Sequence, residues 1–344
     1  MRRIAVSPDQ RGFVFAGTRE SFRPWGMNYG NTGRLMEDFW DGEWETLAGD
    51  FRELKALGAN VVRIHLQFGR FMDGPDAPNP AALLQLQKLL RLAEETGLYL
   101  DVTGLACYRK ADVPSWYDRL DEAARWKTQA LFWKTIAAQC AKSPAVFCYD
   151  LMNEPLAPAS PRKAGEWYSG KPFGGYDFLQ YIGLDRADRK REDIAVAWME
   201  MMTHAIREKD PTRLITVGLL PWVQGWGHLC GFRPESVAVK LDFMSVHLYP
   251  DRKKPDEARE ALRRVSVGRP VVIEEIFALQ CSTAELEEFM VSSKDIACGW
   301  IGHYDGVSLE ELDLLARTGK ITIAQAMMRD WLKLFVKLKP ELAP

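Results

Sequence analysis

Along the 344-residue chain, hydrophobic positions alternate between two spacings. Short, almost wholly apolar runs recur eight times: FRPWGMN (22–28), NVVRIHL (60–66), LYLDVTG (98–104), AVFCYDLMN (145–153), RLITVGL (213–219), DFMSVHL (242–248), PVVIEEI (270–276) and IACGWIG (296–302). Runs of this length, apolar on both faces, predict strands buried on both sides. Between most of them apolar residues return every three or four positions, as in PAALLQLQKLLRLAEETG and REDIAVAWMEMMTHAIREKD, which predicts helices. Gly58, Gly97 and the Ser143-Pro144 step supply helix stops. The fifth connection, roughly 220–240, carries the weakest helical pattern. Strands covered on both faces and followed by helices call for a parallel sheet, and eight is the number that closes a (β/α)8 TIM barrel. RIAVS and GFVFAG, within residues 1–20, read as an N-terminal β-hairpin set at the barrel's bottom. Without a linker, repeat or low-complexity tract, one domain over 1–344 is expected.

Composition narrows the class. A hydrophobic share of 47% supports a large core. A formal net charge of −2 gives no broad basic field, so neither nucleic acid nor an anionic membrane is an expected partner. No run approaches the ~20 apolar residues of a membrane span. The opening MRRIAVSPDQRG lacks a signal-type apolar stretch, so the expectation is a soluble chain, cytoplasmic or exported with its signal removed. The six cysteines form no CxxC pair and several sit in apolar runs, which predicts free thiols rather than a zinc site or a disulfide frame.

Polar residues gather at the predicted strand ends, where a barrel of this kind carries its chemistry. They are Arg63 and His65, Asn153 and Glu154, His247 and Tyr249, Glu274 and Glu275, and Trp300. Alternation puts Arg63 with His65, and His247 with Tyr249, on common faces. A buried strand gains nothing from an unpaired charge, so the set is expected to meet around one centre. Two carboxylates on different strands suit glycoside hydrolysis, one protonating the leaving oxygen and the other attacking the anomeric carbon. An Arg beside one of them separates their proton affinities, and Arg63 is the candidate.

Asn153-Glu154-Pro155 closing the fourth strand, and RPVVIEE (269–275) closing the seventh, resemble the acid/base and nucleophile motifs of glycoside hydrolase family 5, the cellulase family of clan A. Arg63, His247 with Tyr249, and Trp300 match further positions of its pattern, and the likeness spans roughly residues 20 to 335. The resemblance implies a retaining glycosidase with Glu154 as acid/base and Glu275 as nucleophile. It implies that Asn153 bonds the sugar's 2-hydroxyl or the nucleophile, and that Arg63 and Tyr249 keep Glu275 ionised. His247 would contact Glu154 or the substrate, and Trp300 would be the stacking floor. Glu275 is preferred over Glu274 because alternation places it with Val271 and Ile273, leaving Glu274 toward the helix layer. The chain departs from the family in having DVTGLACY, without His, at strand three and Ile276-Phe277-Ala278 after the nucleophile. These departures leave the substrate class open.

Residues 156–185 form a long stretch without helical period, rich in aromatics, and are expected to lie over the cleft. Trp222 and Trp226, with Tyr108, Trp116 and Tyr117, are further candidates for sugar stacking, and His65 for substrate binding. The expected substrate is a β-linked oligo- or polysaccharide, glucan slightly ahead of mannan, cut by an endo-β-1,4-glucanase-like enzyme. An exo-acting β-mannosidase or β-glucosidase, or a β-mannanase, is the alternative. A metal-dependent barrel hydrolase would need paired His/Asp ligands, and the five histidines show no HxH pair, so no metal or other cofactor is expected. A non-catalytic sugar-binding barrel would lack one of the two carboxylates, and both are present.

Overall fold

The computed structural model describes residues 1–31, 34, 43–170, 173–221 and 230–344. Eight parallel strands close into a barrel: β1 Trp25–Tyr29, β2 Val61–Gln67, β3 Tyr99–Ala106, β4 Val146–Asn153, β5 Leu214–Leu219, β6 Met244–His247, β7 Val271–Glu275 and β8 Ala297–Tyr304. Each pairs with its neighbour in chain order, and β8 closes on β1 with Trp300 opposite Trp25 and Tyr304 opposite Tyr29. This is the (β/α)8 barrel that the strand–helix alternation predicts.

Local chemistry explains the helices between strands. Pro80–Thr96 starts with Asn79 accepting from the Ala82 amide, has Pro80 in its first turn, and stops on left-handed Gly97 (φ 68°). Glu122–Cys140 is capped by Asp121, while Thr283–Ser293 and Ile323–Leu342 open with capping boxes. The β5–β6 connection carries only the four-residue helix Pro234–Val237 and a 3-10 turn among its described residues. The weak helical pattern there has its counterpart in the backbone.

Three short strands, Ile4–Val6, Phe13–Phe15 and Ser21–Phe22, form an antiparallel sheet before the barrel. Ile4, Phe13 and Phe22 pack onto Val61, Tyr99, Phe147, Leu214 and Phe243, which lie at the N-terminal ends of the strands. Phe13 meets Phe147 and Phe243 edge-on at 5.2 Å. The bottom of the barrel is therefore sealed by apolar and aromatic surface. Above this floor the interior is polar: Arg63, Asp101, Asp150, Thr216, Ser245 and Glu274 are all fully buried. All six cysteines are free, and all but Cys281 are buried. No helix among the described residues is long and apolar enough to cross a membrane.

Candidate active site

Arg63, on β2, organises the polar interior. Its guanidinium donates to Glu275 Oε1 at 2.7 Å, Asp150 Oδ2 at 2.8 Å, Asn28 Oδ1 at 2.9 Å, Asn153 Oδ1 at 3.1 Å and Thr103 Oγ1 at 2.8 Å. Strands β1, β3 and β4, and β7 opposite, thus each contribute a partner to one planar cation. Its five N–H groups suit that fan of acceptors, and burying it without them would cost several kcal/mol. Asp150 in turn accepts from the Gly218 amide at 2.7 Å and from Thr103 at 2.8 Å.

Two breaks in backbone regularity bring consecutive side chains to the same centre. Glu154 has φ 45°, and the β4–β5 register shifts between Thr216 and Gly218, where the Glu154 amide bonds the Gly218 carbonyl. A left-handed non-glycine residue costs on the order of 1 kcal/mol or more. Here it lets Glu154 reach the rim although Asn153 already points inward. The second break lies between β6 and β7, where His247 pairs with Glu275 after Val246 has paired with Ile273. The skipped residue is Glu274.

Glu154 and Glu275 face each other across the mouth. One oxygen of each, with Nδ1 of His247, lie within 4.8 Å of one another. His247 Nδ1 donates to Glu154 Oε1 at 2.9 Å and lies 3.5 Å from Glu275 Oε1. The Tyr249 hydroxyl donates to Glu275 Oε2 at 2.5 Å and sits 3.0 Å from His303 Nε2. Since that single proton goes to the carboxylate, the Tyr249 oxygen accepts from His303. Burial acts to raise the Glu275 carboxyl, but the charges of His247 and Arg63, with the Tyr249 hydrogen bond, hold it well below the usual range. Burial likewise opposes charge on His247, yet Glu275 and the hydrogen bonds to Glu154 and Glu274 push it up to about 10. Burial, then the Arg63 charge, drives His65 well below its ordinary value, and burial lowers His303.

A cavity of about 370 Å³ opens beside Glu154, lined also by His247, Tyr249, Pro221, Lys254 and Gln280 among others. A hollow of about 680 Å³ next to it shares Asp251 and Gln280 but touches neither carboxylate. Size alone does not mark the site; the convergent polar groups do.

Residues 21–302 match the family model described as Cellulase (glycosyl hydrolase family 5). The chain belongs to glycosyl hydrolase family 5. None of the curated proteins compared matches its sequence. Among solved structures, the β-1,4-mannanase of the sea hare Aplysia kurodai is similar at 17% identity and TM-score 0.66, covering 99% of this chain and 98% of that one. The exo-β-1,4-mannosidase Op5Man5 from Opitutaceae bacterium strain TAV5 is similar at 16% identity and TM-score 0.68, covering 98% of this chain and 62% of that one. A GH5_18 protein of Streptomyces cattleya, in complex with Manb1-4GlcNAc, is 21% identical with TM-score 0.61, covering 82% and 70% of the two chains.

In this family 5 glycoside hydrolase the strand-end residues do not all meet. Arg63, Asn153, Glu154, His247, Tyr249 and Glu275 come together as described. Asn153 contacts Arg63 rather than Glu275, and its amide donates to the Phe178 carbonyl at 3.3 Å. Trp300 does not form a floor. Inward-facing Ile301 and His303 leave it on the outer face of β8, where it is 1% exposed, packs on Trp25 and donates to Ser293 Oγ at 2.9 Å. His303, two residues beyond Ile301, is the β8 side chain at the mouth. His65 shares the Arg63 face but has no exposed surface, and its Nδ1 is paired with the Tyr108 hydroxyl. It supports the site from behind instead of touching a sugar. Glu274 does not face the helix layer: Val271 and Ile273 do, while Glu274 points into the barrel toward His247 and Arg63.

Trp222 and Trp226 lie outside the described residues. Tyr117 is a packing residue, stacked on Phe68 at 3.9 Å and under the Arg125 guanidinium at 3.6 Å. Trp116 lies beside the same pair, and Tyr108 is 1% exposed. Within 156–185, Trp167 is buried against Arg125, whereas Phe178 touches Tyr108 and Phe173 is 72% exposed. The sequence reading passed over Asn28, Asp101, Thr103, Asp150 and Gly218. Their signal was present as polar or glycine positions two apart inside apolar strands, as in Asp101-Val-Thr103.

Proposed function

We propose that this protein is a retaining β-glycosidase acting on oligosaccharides of manno or gluco configuration. The observation that carries the reading is the approach of the Glu154 and Glu275 carboxylates to within 4.8 Å, with His247 between them. Retaining enzymes hold these groups about 5–5.5 Å apart, while inverting ones leave room for a water at about 6.5–9.5 Å.

Glu275, kept ionised by Arg63 and Tyr249, attacks the anomeric carbon, and the bond to the leaving oxygen breaks as Glu154 gives that oxygen a proton. Water then attacks the glycosyl ester, Glu154 takes its proton, and Glu275 departs as carboxylate. The donors on both Glu275 oxygens stabilise it as leaving group in that second step. Asn153 keeps one amide hydrogen for the sugar's 2-hydroxyl, since the other serves Phe178. The cavity lined by Glu154 and Lys254 receives the leaving group, because it adjoins the proton donor and not the nucleophile. The 156–185 segment walls the opposite side, through Phe178. Manno-oligosaccharides come first for assay, since the matched structures bear mannanase and mannosidase names over nearly this whole chain.

The test is a 2-deoxy-2-fluoro glycoside with an activated leaving group, followed by peptide mass mapping. A stable adduct on Glu275, with azide restoring turnover to Glu154→Ala as a β-configured glycosyl azide, supports the assignment. An adduct elsewhere, or an α-azide product, overturns it.

A further inference from the structure

Below the two reacting carboxylates lies a second carboxyl pair that the proposed reaction does not use. Asp101 on β3 and Glu274 on β7 project into the barrel from opposite sides, both without exposed surface. Both oxygens of Asp101 and Oε1 of Glu274 have no hydrogen-bond partner among the described residues. A buried carboxyl with neither oxygen partnered favours its neutral, protonated form. Glu274 Oε2 is 3.3 Å from His247 Nε2 and 3.6 Å from the Arg63 guanidinium, while Asp101 makes no ion pair among the described residues. The proton sits on Asp101.

His247 consequently has a carboxylate at each ring nitrogen, Glu154 at 2.9 Å and Glu274 at 3.3 Å, and each needs an N–H pointing at it. We propose that Glu274, kept anionic by the proton on Asp101, is a positioning residue that holds His247 as imidazolium and so keeps an N–H directed at Glu154. Gly218 makes the contact possible. A Cβ there would lie 2.8 Å from His247 Nε2 and 3.0 Å from Glu274 Oε2, so any side chain would displace one of them. Burial, then the neighbouring Glu274 charge, raises the Asp101 carboxyl well above the usual range, and Arg63 and His247 overcome burial to lower Glu274. The other titratable groups facing the pair are Asp150 and the Cys148 thiol from β4. Glu275, His65 and His303 face His247 and Arg63 from the remaining strands.

The activity arm rests on the glycosidase reading, and two further arms do not. In Glu274→Gln the basic limb of kcat/KM on an aryl β-glycoside moves down by about one to three pH units, the usual effect of removing a neighbouring opposite charge. The His247 imidazole titration, followed by 15N NMR, moves down with it. In a Glu154→Gln background, infrared spectra at pH 7 show a protonated carboxyl band that disappears when Asp101→Asn is added. Melting curves establish that each variant is folded. An unmoved basic limb with an unmoved His247 titration, or identical carboxyl bands with and without Asp101, overturns the proposal. If no aryl glycoside is turned over, the proposed function fails, and the imidazole titration and the infrared band still decide this inference.

Discussion

Replacing Tyr249 by Phe removes one oxygen and leaves the ring, so its effect isolates the 2.5 Å hydrogen bond to Glu275 Oε2. A hydrogen bond to a charged acceptor contributes about 1.5–3 kcal/mol. With a tenfold rate change per 1.36 kcal/mol, kcat/KM should fall by roughly ten- to a hundredfold. The direction of the pH effect follows from the same bond. Tyr249 is among the groups holding Glu275 below its ordinary value. Without it the carboxylate binds its proton more readily, and the acidic limb of kcat/KM moves to higher pH. The assay is a pH series of aryl β-glycoside hydrolysis, with the rate of labelling by a fluorosugar as a second readout of the first step. His303 loses an acceptor in the same variant, but it is neutral and at the mouth, where water replaces the hydroxyl. A variant within twofold of the parent, with an unmoved acidic limb, would refute the claim that Tyr249 sets the state of Glu275.

Gly218→Ala should lose most activity and about 1–3 kcal/mol of stability, because the new Cβ overlaps His247 Nε2 at 2.8 Å; denaturant titration and kcat measure the two separately. Trp300→Phe should leave KM unchanged while lowering stability by about 1–2 kcal/mol through the lost Ser293 bond and the smaller ring, and a tenfold KM rise in a protein of unchanged stability would return Trp300 to the sugar site. His247, raised from 6.5 to about 10, stabilises the fold fully below its unfolded value, and this contribution disappears as pH rises through its folded one. Melting temperature between pH 7 and pH 10 should therefore fall more steeply for the parent than for His247→Gln, and parallel curves would contradict the assignment.

The architecture was legible because burial on both faces writes itself into composition. Each barrel strand lies within or beside an apolar run, and the one weak connection has only a four-residue helix and a 3-10 turn among its described residues. The site was legible wherever a strand keeps its two-residue alternation, as with Arg63 and with His247. It was misread on β7, where the phase of the alternation is the reverse of the one expected: Val271 and Ile273 face the helices, Val272 and Glu274 face inward, and the register shift before Glu275 then brings that residue to the same centre. Trp300 failed for a different reason. A tryptophan near a strand end looks like a sugar platform, but its position relative to Ile301 fixes its direction. Asp101 and Asp150 give no strand-end signal, because they lie mid-strand; their mark is a carboxylate inside a run buried on both faces.

The N-terminal sheet has an influence that reaches the chemistry without touching it. Phe13 and Phe22, with Phe147 and Phe243, tile the foot of the barrel directly under the level of Arg63, Asp101 and Glu274. Protons and solvent then reach those buried groups down through the rim. Opening that lower seal, by clipping the first twenty residues or by thinning Phe13 to alanine, would hydrate the charges from underneath. Their mutual grip would relax toward bulk behaviour, and the enzyme's working pH window would drift although nothing at the mouth had been altered.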